Sequence, residues 1–167
     1  MSISMYEATV PVLLRFLGNL EKWLDKAQAH ADQKKFDTGV LVRSRLAPDM
    51  VDLARQVQIA SDNAKGCVAR LTGAEAPKYE DNEATFAELK ERIAKTVAYV
   101  TSFKPAQFEG SETRDIVLKF PSATLEFKGK DYVLHFVIPN FLFHMTTAYN
   151  ILRHNGVEIG KTDYLAR

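Results

Sequence analysis

Apolar residues recur at three- and four-residue steps through most of this chain, which is the pattern of helices with one buried face. The first apolar stripe predicts a helix over residues 4 to 31, and Pro11 is tolerated because it falls near the first turns. After the polar run that closes this helix, Asp37 can cap a short helical turn through Val42. The chain therefore begins with one long amphipathic helix and a short companion.

Two further helical stripes follow. The second main helix is predicted over residues 47 to 72, with Gly73 as its stop. Residues 74 to 82 are rich in turn-forming and acidic residues and predict a surface connection. The third main helix is predicted over residues 83 to 103 and ends before Pro105, which cannot continue it.

The period changes from helical to two within residues 114 to 128, where apolar and polar side chains alternate on each side of a Pro-Ser pair. This alternation predicts a small β-hairpin packed on the helices. The fourth main helix is predicted over residues 131 to 155, with Asp131 as a plausible cap and a kink at Pro139. Residues 160 to 167 are expected to form a tail.

Four helices with a hairpin inserted before the last one predict an all-α, four-helix-bundle fold with a small β-hairpin between helices three and four. All 167 residues are expected to form a single domain. The interior of such a bundle is a natural place for a pocket built from facing helices.

The composition narrows the classes of partner. The net charge is +1, and neither sign is gathered into a block, so neither nucleic acid nor an anionic membrane is indicated. Polar residues and Pro139 interrupt the most apolar region, residues 132 to 152, so we interpret it as a buried helix rather than a membrane span. The start of the chain lacks a signal-peptide pattern. The single cysteine, Cys67, is typical of a reducing compartment, and a cytoplasmic location is expected.

The fourth helix carries a line of polar residues within apolar surroundings. Asn140, His144 and Thr147 follow one another at steps of four and three, which places their side chains on one face. Buried polar groups need partners, and the second helix offers a matching polar line, which consists of Asp49, Asp52, Gln56 and Asn63. Two such lines facing each other predict a ligand-binding pocket.

His144 is the candidate catalytic residue, but it has a structural alternative. It could be a core histidine hydrogen-bonded to a backbone carbonyl or to Gln56. Asn140 and His144 supply one good and one poor metal ligand, whereas a zinc site needs three or four ligands in tight geometry. Asp52 and Gln56 could add an oxygen donor, but the spacing alone indicates a metal only weakly.

Several stretches carry a resemblance to a known family. They are Met5-Tyr6 with Pro11-Val12, the string from Leu46 to Met50, the string from Arg55 to Asp62, and the string from Phe143 to Val157 with Gly160-Lys161. Together they resemble the bacterial domain of unknown function family nineteen-ninety-three, in the DinB/YfiT-like superfamily of proposed metalloenzymes. The resemblance covers essentially the whole chain and implies a four-helix bundle with a hairpin between helices three and four.

The resemblance also implies where a metal would bind. Metal-binding members carry one histidine on helix two, in a Leu-x-x-His pattern, and two on helix four, spaced His-x-x-x-His. The corresponding positions here hold Gln56, Asn140 and His144. Because an amide oxygen is a much poorer ligand for zinc or nickel than imidazole, no cofactor is expected. The alternative is a divalent metal such as Zn or Ni held through His144.

Three functions follow as hypotheses. The leading one is a bundle that binds a small polar molecule in a metal-poor pocket formed by Gln56, Asn140, His144, Asp52 and Thr147. The alternative is an enzyme, either a thiol-dependent transferase or a metal-dependent hydrolase that uses His144. A third is a vestigial pocket in a protein that acts through its dimer surface.

A homodimer is expected because helix four, together with three aromatic residues, offers extra apolar surface. These residues are Tyr99, Phe103 and Phe108.

Overall fold

The computed structural model describes residues 3 to 166 and has the predicted all-α bundle with one two-stranded hairpin. The helices are α1 (Met5–Lys34), α2 (Gly39–Val42), α3 (Leu53–Thr72), α4 (Phe86–Thr101), α5 (Gly129–Tyr132), α6 (Ile138–His154) and α7 (Lys161–Tyr164), and the strands are β1 (Asp115–Phe120) and β2 (Ala123–Lys128). Helices α1, α3 and α4 are three of the four main helices. The fourth is α5 and α6 joined by a π-helical turn, Val133–Val137.

The long helix α1 is held at its start by a reciprocal capping box. The Ser4 side chain accepts a hydrogen bond from the Glu7 amide, and the Glu7 carboxylate accepts one from the Ser4 amide. The helix ends at Lys34, three residues beyond the predicted end, and Lys35 adopts a left-handed conformation with φ of 58°. The extra residues are exposed and polar, so the apolar pattern could not register them.

Helix α3 begins at Leu53, six residues after the predicted start of the second main helix. Asp52 is its N-cap and accepts a hydrogen bond from the Arg55 amide at 3.0 Å. The preceding residues, 47 to 50, form a separate turn instead. At the other end, Gly73 has a φ of 77° and stops the helix as predicted, since that conformation favours glycine.

Helix α4 is also shorter than predicted. Thr85 and Glu88 form a second capping box, so the helix starts at Phe86. It ends at Thr101, and two 3₁₀ turns, Pro105–Phe108 and Ser111–Thr113, lead to the hairpin.

The hairpin lies within the predicted range. Strands β1 and β2 are antiparallel, with Ile116 opposite Phe127 and Leu118 opposite Leu125. Ile116 and Leu118 are buried, whereas Phe120 and Leu125 of the same face are exposed, so only part of the face predicted to be apolar packs on the helices.

The fourth main helix begins at Gly129 rather than at residue 131, and Asp131 lies inside it instead of capping it. Gly129 packs so closely on the Ser111 carbonyl that a Cβ atom would overlap this oxygen. Its amide donates to the Arg114 carbonyl at 2.8 Å. A kink is predicted at Pro139, and the structure has a π-helical turn just before this residue, since proline offers no amide hydrogen to the preceding turn.

The predicted C-terminal tail is instead docked on α1 through the short helix α7. The indole nitrogen of Trp23 donates to the Asp163 carbonyl at 3.2 Å, and the Asn19 amide donates to the Tyr164 carbonyl at 3.1 Å. Tyr164 stacks on the fully buried Trp23, with ring centroids 5.5 Å apart. Over the described residues, none of the helices is long and apolar enough to cross a membrane.

Candidate functional site

Gln56 of α3 and His144 of α6 meet where these two helices pack against each other. The Gln56 Oε1 atom lies 2.7 Å from the His144 Nδ1 atom, and Gln56 is only 1% exposed. The other end of the same amide is also occupied, because Gln56 Nε2 donates to the Val51 carbonyl at 3.2 Å. This contact is the one expected from the structural alternative, in which His144 is hydrogen-bonded to Gln56.

The hydrogen bonds of Gln56 determine which nitrogen of His144 carries the proton. Since the Gln56 NH₂ group donates to Val51, its oxygen faces the imidazole and can only accept. Nδ1 of His144 is therefore the donor, and in the neutral ring Nε2 keeps its lone pair. Burial, together with the positive charge of Arg55, lowers the pKa of His144 from its ordinary value of 6.5. At neutral pH the ring is a neutral acceptor.

Asn140 lies one helical turn before His144 and lines a neighbouring cleft of about 210 Å³. Asn63 of α3 lines the same cleft and is 8% exposed. Within the described part of the chain, neither the nitrogen nor the oxygen of the Asn63 carboxamide has a hydrogen-bond partner. A buried amide left in this state costs about 1 to 3 kcal/mol, so its presence beside a cleft calls for a ligand or bound water.

The hairpin and the start of the fourth main helix close the other sides of this cleft. Its aromatic lining consists of Phe120, Tyr132 and Phe136, and its charged lining consists of Asp62, Arg70 and Lys119. Phe120 is 46% exposed at the rim. The site therefore combines two amides with apolar walls and charged groups, a mixture typical of small-molecule sites.

The structure does not bring all the predicted site residues together. Asp52 is occupied as the N-cap of α3, and Asp49 is exposed in the turn before that helix. Thr147 is buried, but its hydroxyl donates to the Phe143 carbonyl of its own helix at 2.7 Å. Asp52 and Thr147 thus have structural partners, whereas Gln56 and His144 contact each other and Asn140 lines the cleft.

A cluster of charged residues around the buried Arg92 lies beside the cleft and was not predicted from the sequence. The Arg92 side chain of α4 is 1% exposed and pairs with Asp62, Asp81 and Glu83 at 2.8 to 3.0 Å. It also lies over the ring of Tyr79, at 5.1 Å. The signal was present in the sequence, since an arginine three residues after an apolar core position falls on the buried face of a helix.

This cluster connects to the cleft through Asp62. Asp62 lines the cleft and accepts hydrogen bonds or ion pairs from both Arg92 and Lys65, at 2.8 and 2.9 Å. Two cations therefore pair with its carboxylate, and Arg70 and Lys119 are the other charges that line the cleft.

The aromatic residues expected to form a dimer surface lie inside the protein instead. Phe103 and Phe108 are 5% and 3% exposed, and their ring centroids are 6.4 Å apart. Tyr99 is half-buried and donates to the Glu75 carbonyl. They cannot offer an apolar surface to a second copy, so the dimer prediction now depends on the exposed Leu134 and Phe143 of the fourth main helix, which are 50% and 56% exposed.

The donor atoms at this site do not fit the three-histidine metal centre that the family resemblance implies. Gln56 and Asn140 offer amide oxygens, and the Gln56 oxygen already accepts the His144 Nδ1 proton. No three His, Cys, Asp or Glu side chains gather within residues 3 to 166 in an arrangement that could hold a metal ion. The remaining strong donor is a single imidazole nitrogen, too few for a transition-metal site.

Comparison with known proteins identifies a matching family model and a similar crystal structure. The family model described as domain of unknown function (DUF1993) matches residues 5–165. The crystal structure of a DinB family member protein from Shewanella denitrificans is 47% identical in sequence, with a TM-score of 0.90. That match covers 98% of this chain and 92% of the other, and confirms the predicted DinB-like fold. A comparison with curated proteins gave no match.

Proposed function

This chain belongs to the family described as domain of unknown function (DUF1993), and we propose that it binds a small polar molecule between α3 and α6. Asn140 and His144 would contact the molecule. Gln56 would hold the His144 ring with its proton on Nδ1, so that Nε2 can accept a hydrogen bond. The interaction is non-covalent, and the chain acts as a binding or regulatory protein.

The observation that carries this proposal is that the half-buried His144, whose Nδ1 is the donor to Gln56, lies one helical turn from Asn140 at the cleft. Gln56 satisfies Nδ1, while His144 is only half-buried and Nε2 retains its lone pair. A hydroxyl or N–H group of a ligand is a suitable donor to that atom, and Asn140, one turn away on the same helix face, can both donate and accept.

We propose that the molecule binds without a tightly held metal. Two amides and one imidazole hydrogen-bond well to each other, to water and to a neutral polar group, whereas they compete poorly for zinc or nickel. A cytoplasmic location belongs to the same proposal, since a lone cysteine that forms no disulfide is typical of a reducing compartment.

Thermal unfolding in the presence of a panel of small neutral and charged polar compounds tests the proposal. We expect at least one compound to raise the unfolding temperature of the wild type. The increase should disappear in His144→Ala and persist in His154→Ala, which removes an exposed histidine near the end of the same helix.

Two results would contradict the proposal. One is stabilisation by the panel that His144→Ala leaves unchanged. The other is stoichiometric zinc or nickel that survives dialysis of untagged protein and is lost in His144→Ala. The second result would favour a metal-dependent hydrolase or transferase that uses His144 as a ligand.

A further inference from the structure

The cleft beside Asn140 carries enough chemistry to indicate the class of molecule that it binds; its lining does not include His144, and the inference rests on the proposed function through Asn140, which both share. Its volume of about 210 Å³ is below the range of sites for drug-sized ligands. A single ring with one or two substituents is of the size that this volume holds, so a small ligand is favoured.

Two carboxamides define the polar requirement. Asn63 and Asn140 both line the cleft, and the Asn63 amide is enclosed without a partner for either its nitrogen or its oxygen. A carboxamide pairs best with a group that offers one donor and one acceptor side by side, as it does with the edge of a nucleobase. The N–H and C=O groups of a lactam have this arrangement.

The charges define a second requirement. Arg70 and Lys119 line the cleft and are exposed, while the one carboxylate there, Asp62, is neutralised by Arg92 and Lys65. The cleft therefore presents net positive charge to its ligand, which favours an anionic substituent.

A glycine one helical turn earlier leaves room for the Arg70 guanidinium group. Gly66 lies one turn before Arg70, and a Cβ atom at that residue would overlap the guanidinium group. The absence of a side chain at Gly66 allows the guanidinium to lie along the helix, where its Nη1 donates to the Tyr132 hydroxyl at 2.9 Å. Arg70 is thus held at the cleft.

Aromatic rings supply the third requirement. The rings of Phe120 and Phe136 both line the cleft, with centroids 6.3 Å apart, and Phe120 is 46% exposed. An exposed aromatic ring at the rim of a small cleft favours a flat ligand that can pack against its face.

We propose that this cleft binds a single-ring lactam that carries a carboxylate. The lactam edge pairs with the carboxamide of Asn140 and, once the enclosed Asn63 side chain turns toward the ligand, with that of Asn63. The carboxylate pairs with Arg70 and Lys119. The ring lies against Phe120 and Phe136.

Three related probes separate these requirements: orotate, which has both the lactam and the carboxylate; uracil, which has only the lactam; and benzoate, which has only the carboxylate. Calorimetric titration of the full chain should show orotate binding at least about tenfold more tightly than either of the other two. Lys119→Gln should weaken orotate binding and leave uracil binding unchanged. Lys130→Gln, which changes an exposed lysine outside the cleft, should leave both unchanged.

Replacement of Asn63 gives a readout that a structural role would not produce. If the enclosed amide is kept for a ligand, Asn63→Leu should raise the unfolding temperature, because it removes an unpaired polar group, while it abolishes orotate binding. A lower unfolding temperature with orotate binding retained would overturn the inference. Equal affinity for all three probes, or no orotate binding to the wild type, would overturn it as well. If compounds of the wider panel still bind in a His144-dependent manner, the proposed function survives and only the ligand class is wrong.

Discussion

The hydrogen bond between Gln56 and His144 can be tested by a double-mutant cycle. His144→Ala should lower the free energy of unfolding by about 1 to 3 kcal/mol, because it leaves the Gln56 oxygen buried without a partner. Gln56→Leu should cost less, about 1 kcal/mol, since the half-buried imidazole can turn to solvent. In the double variant neither member of the pair is left behind, and the carbonyl of the exposed Val51 loses its Gln56 donor just as it does in Gln56→Leu alone. We therefore expect its cost to be below the sum of the single costs by about 1 kcal/mol or more.

Urea unfolding followed by tryptophan fluorescence measures all four proteins in one assay, because Trp23 is the only tryptophan and is fully buried. His154→Ala is the matched control, and we expect it to change the free energy of unfolding by less than about 0.5 kcal/mol. Additive costs, within about 0.5 kcal/mol, would show that Gln56 and His144 do not interact as the structure indicates.

The same cycle has a pH dependence with a defined sign. Because the pKa of His144 in the folded protein lies below its ordinary value of 6.5, the unfolded chain binds more protons when the pH falls below about 6.5. The free energy of unfolding should therefore decrease as the pH is lowered through that range, and level off once the folded protein is also protonated. His144→Ala should show a smaller decrease than the wild type. An equal decrease in both proteins would assign the effect to other groups.

Three further predictions concern the fold and assembly. Gly129→Ala should lower the free energy of unfolding by at least about 2 kcal/mol, because the added Cβ would overlap the Ser111 backbone. Gly18 has open space around it, so Gly18→Ala should be neutral or stabilising in the same urea unfolding assay. Arg92→Met should cost about 1 to 3 kcal/mol, because only Glu83 is left largely buried without its cation. It should also speed tryptic cleavage after the exposed Lys78, in the connection between α3 and α4, and unchanged cleavage would contradict this. Light scattering should detect a homodimer that Phe143→Lys converts to a monomer, and a monomeric wild type would refute the dimer.

The amino-acid pattern by itself determined the helices and the hairpin, because their periodicity is a property of neighbouring residues. The alternation around Ile116 and Leu118 identified the strands, and Gly73 marked the end of α3. The helix starts were less accurate, since Asp52 and Thr85 had to be chosen from several polar residues that could each act as a cap. The spacing of Asn140 and His144 was also readable, because it lies within one helix.

Only the tertiary structure decided which residues contact each other across the bundle. Gln56 and His144 are 88 positions apart, and no spacing rule distinguishes their contact from one involving Asp52 or Thr147, which satisfy their hydrogen bonds locally. Arg92 and its carboxylates come from separate elements, and Tyr99, Phe103 and Phe108 became buried through packing that no local pattern encodes. Periodicity determines which face of a helix is buried, whereas the packing of helices determines what that face meets.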